Sequence, residues 1–204
     1  MAEPDTNSYI AVMAEVKRRI AVVDSFLNGK STALYRETGI ECMILQLRMT
    51  MELIALGSLA ANKELFEQQK KKFEKHWNPA DILRDIEALN PHFYPRPVQQ
   101  VPANEPGIKT NLVDIKSGFL TQADLIEIHG RCGNLLHANN PYRKGRDYDL
   151  YERFLPTWRK KVVSPLNSHV IRLLSADRMY LVQMGRDGKP TVTIFEGLGV
   201  NNRG

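Results

Sequence analysis

STALYRETGIECMILQLRMTMELIALGSLAA, residues 31–61, is the stretch on which the fold turns. Leu34, Ile40, Met43/Ile44, Leu47, Met51, Ile54 and Leu59 return every three or four residues. That is the period of one helical face, not the every-second-residue beat of a strand. Ser31 or Thr32 offers a side-chain oxygen for the N-cap. Gly39 and Gly57 each cost about 1 kcal/mol relative to alanine in a helix interior, so each is expected where a neighbour packs closely or the helix bends. The most apolar part, Leu53 to Ala61, falls short of the about 20 residues that span a bilayer.

Upstream, Ile10, Met13, Val16, Ile20, Val23 and Phe26/Leu27 make a second amphipathic helix from about residue 7. Asn28-Gly29 should end it with a left-handed glycine. Downstream, EQQKKKFEKHW (residues 67–77) reads as a solvated helical extension with anchors at Phe66, Phe73 and Trp77. Asn78-Pro79 stops it and starts a short helix through Ile82, Leu83, Ile86 and Leu89. Residues 91–118 are proline-rich without a long period, so they read as irregular, a loop or a few short strands. FYP, Phe93 to Pro95, should pack across the helices. Thr121 with Asp124 is a capping box for a helix through Leu125, Ile128, Cys132 and Leu135/Leu136, which Pro141 must end. Phe154, Trp158, Val162, Leu166, His169/Val170 and Leu173 continue the helical spacing, with kinks expected at Pro156 and Pro165. Only RMYLVQM and TVTIFE alternate, on either side of Asp187-Gly188, which signals a β-hairpin over about 178–196. The expected fold is mainly α: a single domain over 1–204, a helical bundle from about 7 to 174 and a small C-terminal β-hairpin.

Composition narrows the function classes. An apolar share of 43% is too high for a disordered chain, and two cysteines exclude a disulfide-stapled scaffold and a four-cysteine zinc module. The opening MAEPDTNSY shows no basic or long apolar run of a signal peptide, so the expected location is cytoplasmic, with no membrane partner. Nucleotide P-loop, dinucleotide, HExxH and GxSxG motifs are absent from the sequence, and no cofactor is expected. The net charge of +5 is uneven: Pro141 to Lys161 holds seven Lys/Arg against three Asp/Glu. Arg143, Lys144 and Arg146 are therefore the candidate nucleic-acid contacts. The run Lys70-Lys71-Lys72, interleaved with Glu67 and Glu74, reads as a solvated face.

The densest polar run on an apolar helix is HGRCGNLLHANNP, residues 129–141. Arg131 can clamp a phosphate bidentately, and His137 can move a proton near neutral pH, the minimum equipment for metal-free phosphodiester cleavage. Six helical steps set the two about 120° apart around the axis and about 9 Å along it, so a bend at Gly133, long reach or a second copy of the helix is needed to unite them. A structural cap is the other role for His137. His129 and Cys132 are one turn apart but lack further ligands at a zinc spacing, so no metal site is expected. Glu41, Arg48 and Glu52 share one stripe of the residue 31–61 helix, within about 40° of one another. They either pair at the surface or form a network that orients Arg131 or His137, with Asn134 as a further polar support.

Arg131-x5-His137 on a late helix resembles the HEPN superfamily, whose ribonuclease members carry an Arg-x4-6-His motif. QLR at Gln46–Arg48, FYP at Phe93–Pro95 and LHANNPY at Leu136–Tyr142 are also similar to a group of uncharacterised bacterial proteins. The HEPN likeness covers about residues 7–140. It implies a helical bundle, homodimerisation and metal-independent RNA cleavage in a toxin or defence setting. In that scheme Arg131 binds the scissile phosphate and His137 transfers a proton, with Glu52 or Glu41 in support. Cys132 stands where nuclease members often carry a polar residue. Members of this kind also act without cleavage, so a non-enzymatic helical interaction module with a protein partner stays open beside the RNA-directed role.

Overall fold

The computed structural model describes residues 6–61, 78–104, 106, 109–138, 142, 145–172, 178–185 and 188–196. The extension at 62–77, with its lysine run and aromatic anchors, lies outside the described residues. So do Asn139–Pro141, Arg143, Lys144 and Asp187. The described helices are α1 (Thr6–Leu27), α2 (Arg36–Ala61), α3 (Pro79–Glu87), α4 (Gln122–Leu136) and α5 (Tyr148–Leu166). The strands are β1 (Arg96–Pro102), β2 (Thr110–Asp114), β3 (Ser168–Arg172), β4 (Arg178–Gln183) and β5 (Thr191–Glu196).

α1 and α2 form an antiparallel pair. Arg19 Nη1 donates to Gln46 Oε1 at 2.9 Å, while Gly57 lies against the other end of α1. A Cβ at Gly57 would sit 3.0 Å from Met13 Cε and 3.5 Å from Tyr9 Cε2, so this glycine marks a close helix approach. Gly29 ends α1 at φ 68, and the amides of Gly29 and Lys30 return to the carbonyls of Phe26 and Ser25. α2 begins later than expected, at Arg36 rather than after a Ser31 or Thr32 cap. Leu34 consequently leaves the helical face and stands outside it. In length and hydropathy α2 does meet the measure of a membrane span, contrary to the expectation from its most apolar segment alone. Ile44, Leu47, Met51 and Ala55 are nevertheless wholly buried in this fold's own core.

The sheet is the main departure from the sequence expectation. It has five antiparallel strands in the order β2-β1-β3-β4-β5, not a lone hairpin. β1 and β2 lie in the segment expected to be irregular, paired from Val98 opposite Asp114 to Pro102 opposite Thr110. The bundle stops at Leu166 rather than near 174. Residues 168–172, whose apolar spacing mimics a helix, are β3, with Val170 opposite Leu181. Both faces of β3 are buried, so strict alternation is missing: His169 and Ile171 face the main core, and Val170 the other side. Across the sheet, Tyr180, Val182 and Met184 join the helical core. Val98, Val170 and Leu181 form a separate small cluster with Leu112 and Met179 on the opposite face.

Side chains and carbonyls then tie the layers. α5 runs unbroken through Pro156 and Pro165. Pro165 has no N–H to offer the Lys161 carbonyl, and that carbonyl accepts instead from Leu120 N at 3.1 Å. Lys161 Nζ also reaches Asp124 at 2.6 Å, so the proline gap and the Thr121–Asp124 capping box together fix the start of α4. Phe93 is fully buried and the Tyr94 hydroxyl donates to the Leu120 carbonyl, which is the packing expected of FYP. Lys17 on α1 holds the β4–β5 turn by donating to the carbonyls of Met184, Gly185 and Gly188.

Candidate functional site

α4 lies against the charged stripe of α2. Glu52 Oε1 accepts from Arg48 Nε at 3.1 Å and from the His129 ring Nε2 at 3.0 Å. A carboxylate only accepts, so Nε2 of His129 bears the hydrogen. All three side chains are largely withdrawn from water, and the shared carboxylate balances the cation, as partly buried charge requires. The Arg48 guanidinium reaches the α4 backbone because Gly133 has no Cβ: one placed there would lie 2.7 Å from Arg48 Nη1. Gly133 therefore makes room for Arg48. The network expected to orient Arg131 or His137 holds His129 instead.

Arg131 points toward α5. Its Nη2 lies 2.8 Å from Glu127, the guanidinium carbon sits 5.7 Å from the centre of the Phe154 ring, and the side chain is 47% exposed. Phe154 stacks in turn on Trp158, with ring centres 5.5 Å apart and planes 7° from parallel. The Tyr151 hydroxyl donates to the Arg131 carbonyl at 3.0 Å. Next to Arg131, burial pushes the Cys132 thiol up to about 12, which keeps it protonated and inert at neutral pH.

His137 is the first residue past α4, in the C-cap position with extended backbone (φ −74°, ψ 148°). It is exposed and makes no hydrogen bond or ion pair with a described residue. Asn134 is likewise exposed. His129 opposite Glu52 and Gly133 opposite Arg48 show that α4 and α2 run antiparallel in equal steps. By the same count His137 comes level with about residue 44, roughly one turn from Glu41. There a second polar cluster gathers. The Tyr148 hydroxyl donates to Glu41 Oε1 at 2.6 Å, and Arg146 Nη1 lies 3.3 Å from both. Arg146 Nη2 is buried with no acceptor. Thus Arg146, Glu41 and His137 belong to one end of the α2–α4–α5 junction, and Arg131 to its α5 flank. No hydrogen bond, ion pair or ring contact among the described residues joins Arg131 to His137.

Protein-family models, curated proteins and solved structures were all compared with the chain. None matches.

His129 as the partner of Glu52, and Tyr148 and Tyr151 as parts of the site, are not evident from the sequence motifs. A usable signal existed for the first. Gly133, one turn after His129 on the apolar stripe of α4, marks where a long side chain from a neighbouring helix can enter, and Arg48 does so beside Glu52. The tyrosines carry no such signal, since their roles depend on where α5 starts. Among the described residues no three His, Cys, Asp or Glu side chains gather as a metal-binding group.

Proposed function

We propose that this chain is an RNA-directed, HEPN-like protein that cleaves phosphodiester bonds without a metal ion. Arg131 holds the phosphate and His137 protonates the leaving oxygen. The observation that supports this most is the exposed histidine at the C-terminal end of α4. His137 is exposed and makes no hydrogen bond or ion pair with a described residue, and Arg146, held by Glu41 and Tyr148, adds a cation to the same end of the junction. Arg131, half exposed on an aromatic stack, presents its guanidinium on the α5 flank of the same helix. The angular separation of Arg131 and His137 belongs with a homodimer, in which α4 of a second copy completes the site. A cytoplasmic bacterial toxin or defence component is part of the same proposal.

Purified protein incubated with single-stranded RNA in EDTA should cleave it, and Arg131→Ala and His137→Ala should each lower the rate at least 100-fold. Both side chains are solvent-facing, so melting temperatures should barely change. Cleavage that persists undiminished in both variants refutes the assignment.

Leu34 and Tyr35 support a second reading, the non-enzymatic interaction module. Leu34 is 98% exposed and Tyr35 58%, side by side on the α1–α2 loop. A partner protein would be expected to cover them, and Leu34→Asp should then abolish capture of that partner while leaving RNA turnover unaltered.

A further inference from the structure

The face of the sheet turned away from the helices carries charge that no sequence motif announced. Side chains alternate along each strand, so the face that bears Val98, Val170 and Leu181 also bears Arg96, Gln100, Leu112, Arg172, Gln183 and Phe195. Two grooves lie on it, one on each side of the small apolar cluster. The first, of about 440 Å³, has Leu112 and Leu181 in its floor and is bordered by Gln100, Gln183, Lys109 and Phe195. The second, of about 550 Å³, is bordered by His92, Arg96, Lys116, Arg172 and Phe119. Leu181 lines the first and Val170 the second, and the two belong to one cluster, so the grooves are continuous across the sheet.

The charge on this track is one-sided. Asp114 is the one carboxylate among the described residues lining either groove, and Arg96 pairs with it at 2.8 Å. Lys109, Lys116 and Arg172 are exposed, and their side chains have no described carboxylate partner. Each groove also offers an aromatic ring, Phe195 in the first at 41% exposure and Phe119 in the second. Amides flank the apolar floor of the first. Gln100 and Gln183 can each donate and accept, as the edges of unpaired bases demand. Spaced cations for a phosphate backbone, rings for stacking and amides for base edges are what a single strand of nucleic acid needs, and a duplex would keep its bases from reaching such a floor.

We infer that the outer sheet face is a track for single-stranded RNA, distinct from the α4–α5 junction, with Lys109, Lys116 and Arg172 on phosphates and Phe195 under a base. This rests on the RNA-directed reading above and adds where the strand lies and why it is single.

The test is fluorescence anisotropy with a labelled 12-nucleotide single-stranded RNA of mixed sequence, titrated from 50 to 300 mM KCl. The triple variant Lys109→Ala/Lys116→Ala/Arg172→Ala should bind at least 10-fold more weakly at low salt. It should also flatten the plot of log affinity against log salt by about 2, since each phosphate contact on a single strand contributes about 0.7. Phe195→Ala should lose about 10-fold with the salt slope unchanged. Lys30→Ala/Arg153→Ala/Lys160→Ala removes the same charge from exposed positions off this face and should keep wild-type affinity. If wild-type protein binds RNA and the face variants bind as tightly, or no more weakly than the off-face control, the track is wrong while the RNA-directed reading stands. If wild-type protein binds no RNA at 50 mM KCl, the reading falls and the track with it.

Discussion

Leu34 sits in the left-handed region at φ 64, the one described non-glycine residue to do so, with its side chain almost wholly in water. A leucine there costs about 1–2 kcal/mol of backbone strain, and no packing among the described residues returns it. Glycine accepts the same φ freely but adds unfolded-state entropy worth about 0.4–1 kcal/mol. Leu34→Gly should therefore stabilise the protein by about 0.5–1 kcal/mol, read as a higher urea midpoint at constant m. A lower midpoint would mean that the leucine side chain holds the loop through a contact worth more than the strain. Cys132 teaches the complementary lesson at this scale. Beside a candidate catalytic arginine it invites a nucleophilic role, yet its burial holds the thiol protonated, and position on the apolar stripe with Leu125 and Ile128 was the better guide.

At the scale of elements, glycines in α2 separate into two kinds by what stands opposite them. At Gly57 a Cβ would lie 3.0 Å from Met13 Cε, with Val12 and Tyr9 in contact at 3.4 and 3.5 Å. Met13 is wholly buried among core side chains, so its methyl has little room to give. Overpacking of about 1–3 kcal/mol should outweigh the helix-propensity gain of about 1 kcal/mol, so Gly57→Ala should destabilise. At Gly39 the nearest atoms are those of Phe26 at 3.8 Å, an ordinary contact, and Gly39→Ala should stabilise by up to about 1 kcal/mol. Thermal melts of the two variants should move in opposite directions, and a shared sign would break the account. The same contrast shows what could be read from the residues. Long helices with repeated apolar stripes, the Asn78 and Thr121 caps and the Gly29 stop all depend on neighbours within about four positions, and these were legible. β1 and β3 were not, because β1 is bracketed by prolines and β3 buries both faces, so neither shows alternation. Their identity is set by partners up to 74 positions away, as with Arg96 opposite Val170. The candidate site divides the same way. Arg48–Glu52 follows from i, i+4 spacing, whereas His129 on Glu52 and Arg146, from the loop before α5, on Glu41 join separate segments and required the fold.

For the whole molecule, the join between the helical layer and the sheet passes through Tyr9 and His169. His169 is completely buried, its Nδ1 lies 3.0 Å from the Leu166 carbonyl, and its Nε2 lies 2.7 Å from the Tyr9 hydroxyl. A carbonyl only accepts, so Nδ1 carries the hydrogen and Nε2 accepts from Tyr9, which makes the ring neutral. Burial pushes His169 down to about 4, against a smaller opposing effect of the Leu166 bond, and pushes the Tyr9 hydroxyl up. A depressed folded value means that the unfolded chain binds the extra proton between about 4 and 6.5. The stability this neutral histidine contributes is thus fully present above about pH 6.5 and is lost as pH falls toward 4, by up to about 1.4 kcal/mol per pH unit and roughly 3 kcal/mol in all. Urea unfolding at pH 7.5, 6.5, 5.5 and 4.5 should trace that decline. The double variant Tyr9→Phe/His169→Leu, which leaves no orphaned hydroxyl, should flatten the curve between pH 6.5 and 4.5 even if it starts lower. A variant curve as steep as the wild type would show that carboxylates elsewhere, such as Asp124 in its bond to Lys161, govern acid unfolding instead.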